Sequence, residues 1–125
     1  MKLLTILIVE DDALQGTVLG EILEEIGHKV CAVTSTVSQA VAFVDRYRPS
    51  LLIVDQWLKD GSGLSLVETV CKNGHVPHIF ATGDIEGIKL ARPDAVVLQK
   101  PYQVFQLEAA IERAMVAVPL VVGQI

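Results

Sequence analysis

The sequence predicts an α/β fold, a parallel sheet with helices on both faces, and three observations lead there. Short apolar runs alternate with segments whose apolar residues recur at helical spacing. The runs are nearly continuous in Ile, Leu and Val, as expected for strands covered on both sides. The chain has 125 residues, 51% of them hydrophobic and 20% charged, which matches one ordinary domain with a full core.

The first strand spans Thr5 to Val9 and should sit centrally. A helix follows from about Ala13 to Ile26: Leu14, Val18, Ile22 and Ile26 recur every four residues, Asp12 is placed to cap the start, and Gly27 to stop the end. The second strand is about Lys29 to Val33. The second helix opens with Thr36 and Gln39 at capping-box spacing, turns Val37, Ala40, Val41 and Val44 inward, and ends near Tyr47 because Pro49 restricts the residue before it. The third strand is Leu51 to Val54. Asp60 to Gly63 read as a turn, since the twelve-residue ligand pattern of a calcium loop is missing. A third helix runs from about Leu64 to Lys72 and buries Leu64, Val67, Val70 and Cys71. The fourth strand is His78 to Ala81. A short, mobile helix is expected over Ile85 to Ala91 around Gly87. The fifth strand is Ala95 to Leu98, and the fifth helix, about Gln103 to Val116, presents Val104, Leu107, Ile111 and Met115. Val118 to Ile125 form an apolar tail, which leaves residues 1–117 as the domain.

Charge and composition exclude several classes. Ten Lys and Arg against fifteen Asp and Glu give a formal charge of −5, with no basic stretch to neutralise a row of phosphates, so direct nucleic-acid binding is disfavoured. The longest apolar runs are strand-sized, whereas a membrane span needs ~20 apolar residues. The short apolar N-terminus ends in Glu10, Asp11 and Asp12, unlike a signal peptide, so the expected location is cytoplasmic. Cys31 and Cys71 are too few for a disulfide framework and read as small core residues. His75 and His78 have a possible ligand spacing, but Pro77 and the strand onset leave their directions unset, and no metal role is assigned. His28 reads as a loop residue.

In open α/β sheets the ligand site lies beyond the carboxyl ends of the strands. There stand Glu10 and Asp11 after the first strand, Asp55 after the third, Thr82 after the fourth, and Lys100 two residues after Leu98. Helix capping explains Asp12, but none of Asp55, Thr82 and Lys100. Clustered carboxylates repel one another unless a cation compensates, and hard oxygen donors with room for water suit Mg²⁺. A carboxylate can attack a phosphoryl group to form an acyl phosphate when cations offset the charge on its oxygens. Asp55 would attack, Lys100 would pair with the phosphoryl oxygens, Thr82 would donate a hydrogen bond to them, and Glu10 and Asp11 would hold the ion directly or through water.

At these residues the chain resembles the receiver domain of two-component response regulators, through Ile-Val-Glu-Asp-Asp at 8–12, Leu-Ile-Val-Asp at 52–55, Ala-Thr-Gly at 81–83 and Lys-Pro-Tyr at 100–102. Four short motifs in the right order at four strand ends are far more specific than any one alone. The resemblance implies a flavodoxin-like sheet ordered 2-1-3-4-5 and phosphorylation of Asp55 by a histidine kinase or histidine phosphotransfer protein. It further implies Mg²⁺ on Asp11, Asp55 and the backbone carbonyl of Trp57, with Glu10 in an outer shell. Pro77 to Gly83 also look like a subgroup of stand-alone receivers marked by Phe-Ala-Thr-Gly, although Asp84 stands where that subgroup usually has an apolar residue. Two departures concern signalling: Val97 replaces the usual aromatic three residues before the Lys, and Lys59 replaces a frequent Pro four residues after the Asp. Trp57 reads either as partly buried packing or also as a screen for the acyl phosphate.

The expected function is therefore a single-domain response regulator, monomeric or weakly dimeric, acting on a downstream protein target or in a phosphorelay and not as a metabolic enzyme. A pseudo-receiver that binds partners without phosphorylation is the alternative. A flavodoxin-like electron carrier fits less well, since Glu10, Asp11 and Asp12 would repel a flavin phosphate. An Asp-dependent phosphohydrolase would place its nucleophile after the first strand with a second Asp two residues on, which Glu10 and Asp12 do not reproduce.

Overall fold

The structure, a computed structural model, describes residues 2–116. The expected tail from Val118 to Ile125 lies outside the described residues. Strands β1 (Thr5–Val9), β2 (Lys29–Thr34), β3 (Leu51–Asp55), β6 (His78–Thr82) and β7 (Val97–Gln99) form one parallel sheet in the order β2-β1-β3-β6-β7. Helices α1 (Ala13–Ile26), α2 (Val37–Tyr47), α3 (Gly63–Val70), α4 (Ile85–Ala91) and α5 (Val104–Val116) connect and cover it. A small antiparallel pair, β4 (Trp57–Leu58) and β5 (Gly61–Ser62), interrupts the β3–α3 connection. With that pair set aside, the order is the expected 2-1-3-4-5. No helix among the described residues is long and apolar enough to cross a membrane.

The continuous apolar runs follow from the two covered faces. Successive strand side chains point to opposite sides. Ile6, Ile8, Leu51, Ile53 and Ile79 pack with α1 and α5, whereas Leu7, Val9, Leu52, Val54 and Phe80 pack with α2, α3 and α4. These positions are at most 1% exposed, and each such side chain stabilises the fold by roughly 1.5–3 kcal/mol.

Several expected details are corrected. Helix α1 turns Gly16, Leu19, Gly20 and Leu23 to the sheet, leaving Leu14 73% and Val18 46% exposed, with Ile22 and Ile26 partly buried. Gly16 sets that face: a Cβ there would lie 2.8 Å from Val33 Cγ1, so the helix sits too close to the sheet for a side chain. In α5, Leu107 and Ile111 are buried as expected, along with Ala110 and Ala114, but Val104 is 45% exposed. Thr36 caps α2 through Gln39 N, yet the Gln39 side chain accepts from Thr34 Oγ1 instead of closing a box. The Asp60 carboxylate completes that cap by accepting from Val37 N and Ser38 N, which also holds its own pKa below the ordinary value. Helix α3 starts one residue early, on a reciprocal Ser62–Ser65 capping box, and stops at Val70. Strand β7 starts at Val97 because Ala95 N is committed to a turn bond with Arg92 O. His28 is buried, its Nδ1 accepting from Leu4 N at 3.1 Å.

Gly63 packs where the site acid leaves the sheet. A Cβ there would fall 2.3 Å from the Asp55 carbonyl oxygen and 2.8 Å from Val54 Cγ1. Gly63→Ala should therefore lose about 1–3 kcal/mol in urea unfolding by overpacking. Gly83→Ala, with nothing within 4 Å of the new Cβ, should stay within about 0.5 kcal/mol of wild type. Equal midpoints for the two variants would show that Gly63 is not tightly enclosed.

Candidate functional site

Strand register assembles the site. Val9 pairs with Val54, Asp55 with Ala81, and Thr82 with Gln99, so four strands end along one rim. Lys100 N continues the ladder by donating to Thr82 O at 2.8 Å, and the Lys100–Pro101 peptide is cis. Glu10 and Asp11 thus follow β1, Asp55 ends β3, Thr82 ends β6 and Lys100 follows β7.

Lys100 lies between two of the acids. Its Nζ is 2.6 Å from Glu10 Oε1 and 3.6 Å from Asp55 Oδ1, and it also donates to Gln15 Oε1 at 3.0 Å. The Glu10 side chain is only 8% exposed and its other oxygen accepts from Asp12 N at 3.0 Å, so both oxygens are committed. Asp55 is pushed up to about 6, chiefly by burial and then by hydrogen bonding to and repulsion from Glu10. Lys100 and the Gln56 N–H, which donates to Asp55 Oδ1 at 2.9 Å, act in the other direction without cancelling the rise. One ammonium therefore does not compensate the acids gathered here.

Thr82, 3% exposed, spends its hydroxyl proton on Gln56 Oε1 at 2.8 Å and accepts from Asp84 N at 3.0 Å. Gln56 is itself buried, at 6% exposure. Neither Gln56 nor Gln15 belongs to the set expected from sequence. A lone glutamine where the chain leaves β3 carries no sequence signal, so only the structure shows the role of Gln56. Asp11 is exposed at the start of the loop after β1. Asp12 caps α1 as expected, accepting from Leu14 N and Gln15 N at 2.9 and 3.2 Å, and its pKa is lowered chiefly by the Gln15 N–H. Trp57, by contrast, is 67% exposed, which corrects the expectation of partly buried packing.

A cleft of about 580 Å³ opens beside the rim, lined by Glu10, Asp55 and Lys100 and by the apolar or aromatic Leu14, Val18 and Tyr102. Tyr102 is half-buried, and its phenol is pushed up by burial and then by Glu10. The site therefore combines a poorly compensated carboxylate, an adjacent ammonium and an open approach. A second group of side chains, Cys71, His75 and His78, meets at the opposite end of β6, where sequence joined only the two histidines by spacing and assigned them no metal role.

The response regulator receiver domain family matches residues 6–112. The chain is 37% identical over 114 residues to the phyllosphere-induced regulator PhyR of Methylorubrum extorquens, covering 88% of this chain and 43% of that protein. It is 26% identical over 118 residues to the probable C4-dicarboxylate response regulator DctR of Priestia megaterium, covering 90% of this chain and 52% of that one. The chain thus spans about half the length of these curated relatives. Among solved structures, that of the Erythrobacter litoralis PhyR response regulator REC domain superposes with a TM-score of 0.85 at 29% identity, covering 97% of this chain and 98% of that one.

The raised Asp55 has a thermodynamic consequence. Between the ordinary carboxyl value near 4 and its own value of about 6, the folded state binds a proton that the unfolded state has released. Asp55 therefore lowers stability as pH rises through that window, and the deficit is full at pH 7. Asp55→Asn should unfold at higher urea than wild type at pH 7, by of order 1–2 kcal/mol, and the gap should close below about pH 4. A gap independent of pH would place its cause outside Asp55 ionisation.

Proposed function

The chain belongs to the response regulator receiver domain family, and from that premise we propose that Asp55 accepts a phosphoryl group, in a Mg²⁺-dependent reaction, from a histidine kinase or histidine phosphotransfer protein. The observation that carries this reading is the meeting of Glu10, Asp55 and Lys100 at one open rim, with Asp55 left short of compensating charge.

The donor set fits a divalent ion. Glu10 and Asp55 share a single lysine, the exposed Asp11 adds a third acid at the same strand end, and hard carboxylate and carbonyl oxygens suit Mg²⁺ rather than a softer metal. Asp11, Asp55 and the Trp57 backbone carbonyl would hold it, with Glu10 in the outer shell. Bound there, the ion would neutralise the acids and the charge on the phosphoryl oxygens.

The chain's own residues do the rest. An Asp55 oxygen attacks phosphorus as the donor's bond to phosphorus breaks, leaving an acyl phosphate on Asp55. Lys100 is already 3.6 Å from that carboxylate and exchanges part of its pairing with Glu10 for a phosphoryl oxygen. Thr82 must give up Gln56 to donate to another phosphoryl oxygen, so phosphorylation and the Thr82–Gln56 bond compete. Asp84 N binds the same Thr82 oxygen and Asp84 caps α4, which supports transmission into the segment from Gly83 to Arg92. Val97 has no ring to rotate, so this route replaces the aromatic switch. A phosphoryl group shifts the segment only by binding one arrangement better than the other. The output is a protein target; the formal net charge of −5 supports a protein rather than a nucleic-acid partner.

Incubation with Mg²⁺ and a small phosphoryl donor, followed by intact mass, should show one added phosphoryl group. Asp55→Asn or excess chelator should abolish it, and Lys100→Ala should slow its appearance by about 10²-fold. Full labelling of Asp55→Asn would remove Asp55 as acceptor, and no labelling of wild type would favour the pseudo-receiver.

A further inference from the structure

We propose that Cys71, His75 and His78 form a binding site for a thiophilic transition-metal ion of the Zn²⁺ type, at the end of the sheet opposite the acidic rim. This inference does not rest on phosphorylation of Asp55. One ligand atom from each residue, the Cys71 sulfur and an imidazole nitrogen of each histidine, lies within 4.8 Å of the other two. His78 opens β6 and Thr82 closes it, so this cluster and the acidic rim are separated by the strand's length, ~13 Å.

Local folding explains the convergence. Helix α3 stops at Val70, and Cys71 caps it with its N–H on Val67 O. Gly74 N then donates to Cys71 O, and Gly74 takes φ +145, a left-handed conformation that a side chain would oppose. The chain doubles back, and three residues later Pro77 delivers His78 to the sheet. The His75 and His78 rings consequently lie 5.7 Å apart, centre to centre.

The chemistry of the three groups matches the proposed ion. A thiolate and two imidazoles are soft or borderline donors that select Zn²⁺ and its transition-metal neighbours over Mg²⁺, whereas the rim offers only hard oxygens. His78 also has the partner that metal-bound histidines usually have: its Nδ1 lies 2.7 Å from Val76 O. A carbonyl only accepts, so Nδ1 carries the proton and Nε2 keeps a lone pair for a metal. Cys71 Sγ reaches the same carbonyl at 3.8 Å, a weak contact that the thiol surrenders with its proton when it ligates.

Tetrahedral Zn²⁺ bonds of about 2.0–2.3 Å imply ligand separations of roughly 3.3–3.7 Å, so the group need close by no more than about 1.5 Å. His75 can supply that movement because its side chain is exposed, while His78 is buried and held. Three protein ligands leave a fourth position for water or for a donor from a bound protein.

The test uses the full chain without added histidines, stripped with chelator and then titrated with Co²⁺ under reducing conditions. One equivalent should bind with a thiolate-to-cobalt absorption band in the near ultraviolet, and Zn²⁺ should bleach it. Cys71→Ser should remove the band, and His75→Ala, at an exposed position that leaves folding intact, should weaken binding at least about tenfold. Cys31→Ser should change neither. Binding without the band, a band that survives Cys71→Ser, or a His75→Ala variant with unchanged affinity would each overturn the site.

Discussion

One ammonium between two carboxylates is the constraint on which the site depends. Lys100 bonds Glu10 at 2.6 Å and stands 3.6 Å from Asp55, while Asp11 adds a further acid at the same strand end. The arrangement exists only because β1, β3, β6 and β7 lie side by side and end in register. A covered sheet allows this: its apolar interior fixes the strands, and the polar residues fall where the strands leave the core. The excess of acids over Lys100 makes the rim receptive to a cation, and burial, reinforced by Glu10, leaves Asp55 with a proton affinity well above that of an ordinary carboxylate.

A second layer ties this rim to the surface. Thr82 and Gln56 form a buried polar pair, and Asp84 joins it by binding the Thr82 oxygen while capping α4 through Gly87 N. Thr82 is thereby tied to α4 through two hydrogen bonds, neither of which involves an aromatic ring. Gly87 supports this packing: a Cβ there would fall 2.4 Å from Asp84 Oδ2 and 3.1 Å from Gln56 Nε2. On the other side, Gly63 lets the chain turn against the Asp55 carbonyl, so the acid is held from both flanks.

Much of this was legible in the sequence, for a physical reason. Strands buried on both faces must be apolar throughout, so Thr5–Val9 and Leu51–Val54 stood out, and the acids and lysine beyond the strand ends had no packing role to explain them. Tertiary contacts were less legible. Four-residue spacing marked Leu14 and Val18 as helical but not as exposed, because closest approach is set by Gly16, which carries no hydropathy signal. The role of Asp60 in capping α2 depends on a hairpin more than twenty residues away. Gln56 was hidden because a lone glutamine has no period, and its meaning comes from Thr82 on a neighbouring strand. Cys71, His75 and His78 were close in sequence, yet only the Gly74 turn determines that they face one another.

The most direct test of the charge imbalance is the titration of the Asp55 side-chain carboxyl by carbon NMR, with and without Mg²⁺. The account predicts a midpoint near 6 in the free protein, a lower one in Glu10→Gln, and a drop below the ordinary carboxyl range when Mg²⁺ saturates the site. A midpoint near the usual value of about 4, unmoved by Mg²⁺ or by Glu10→Gln, would contradict it.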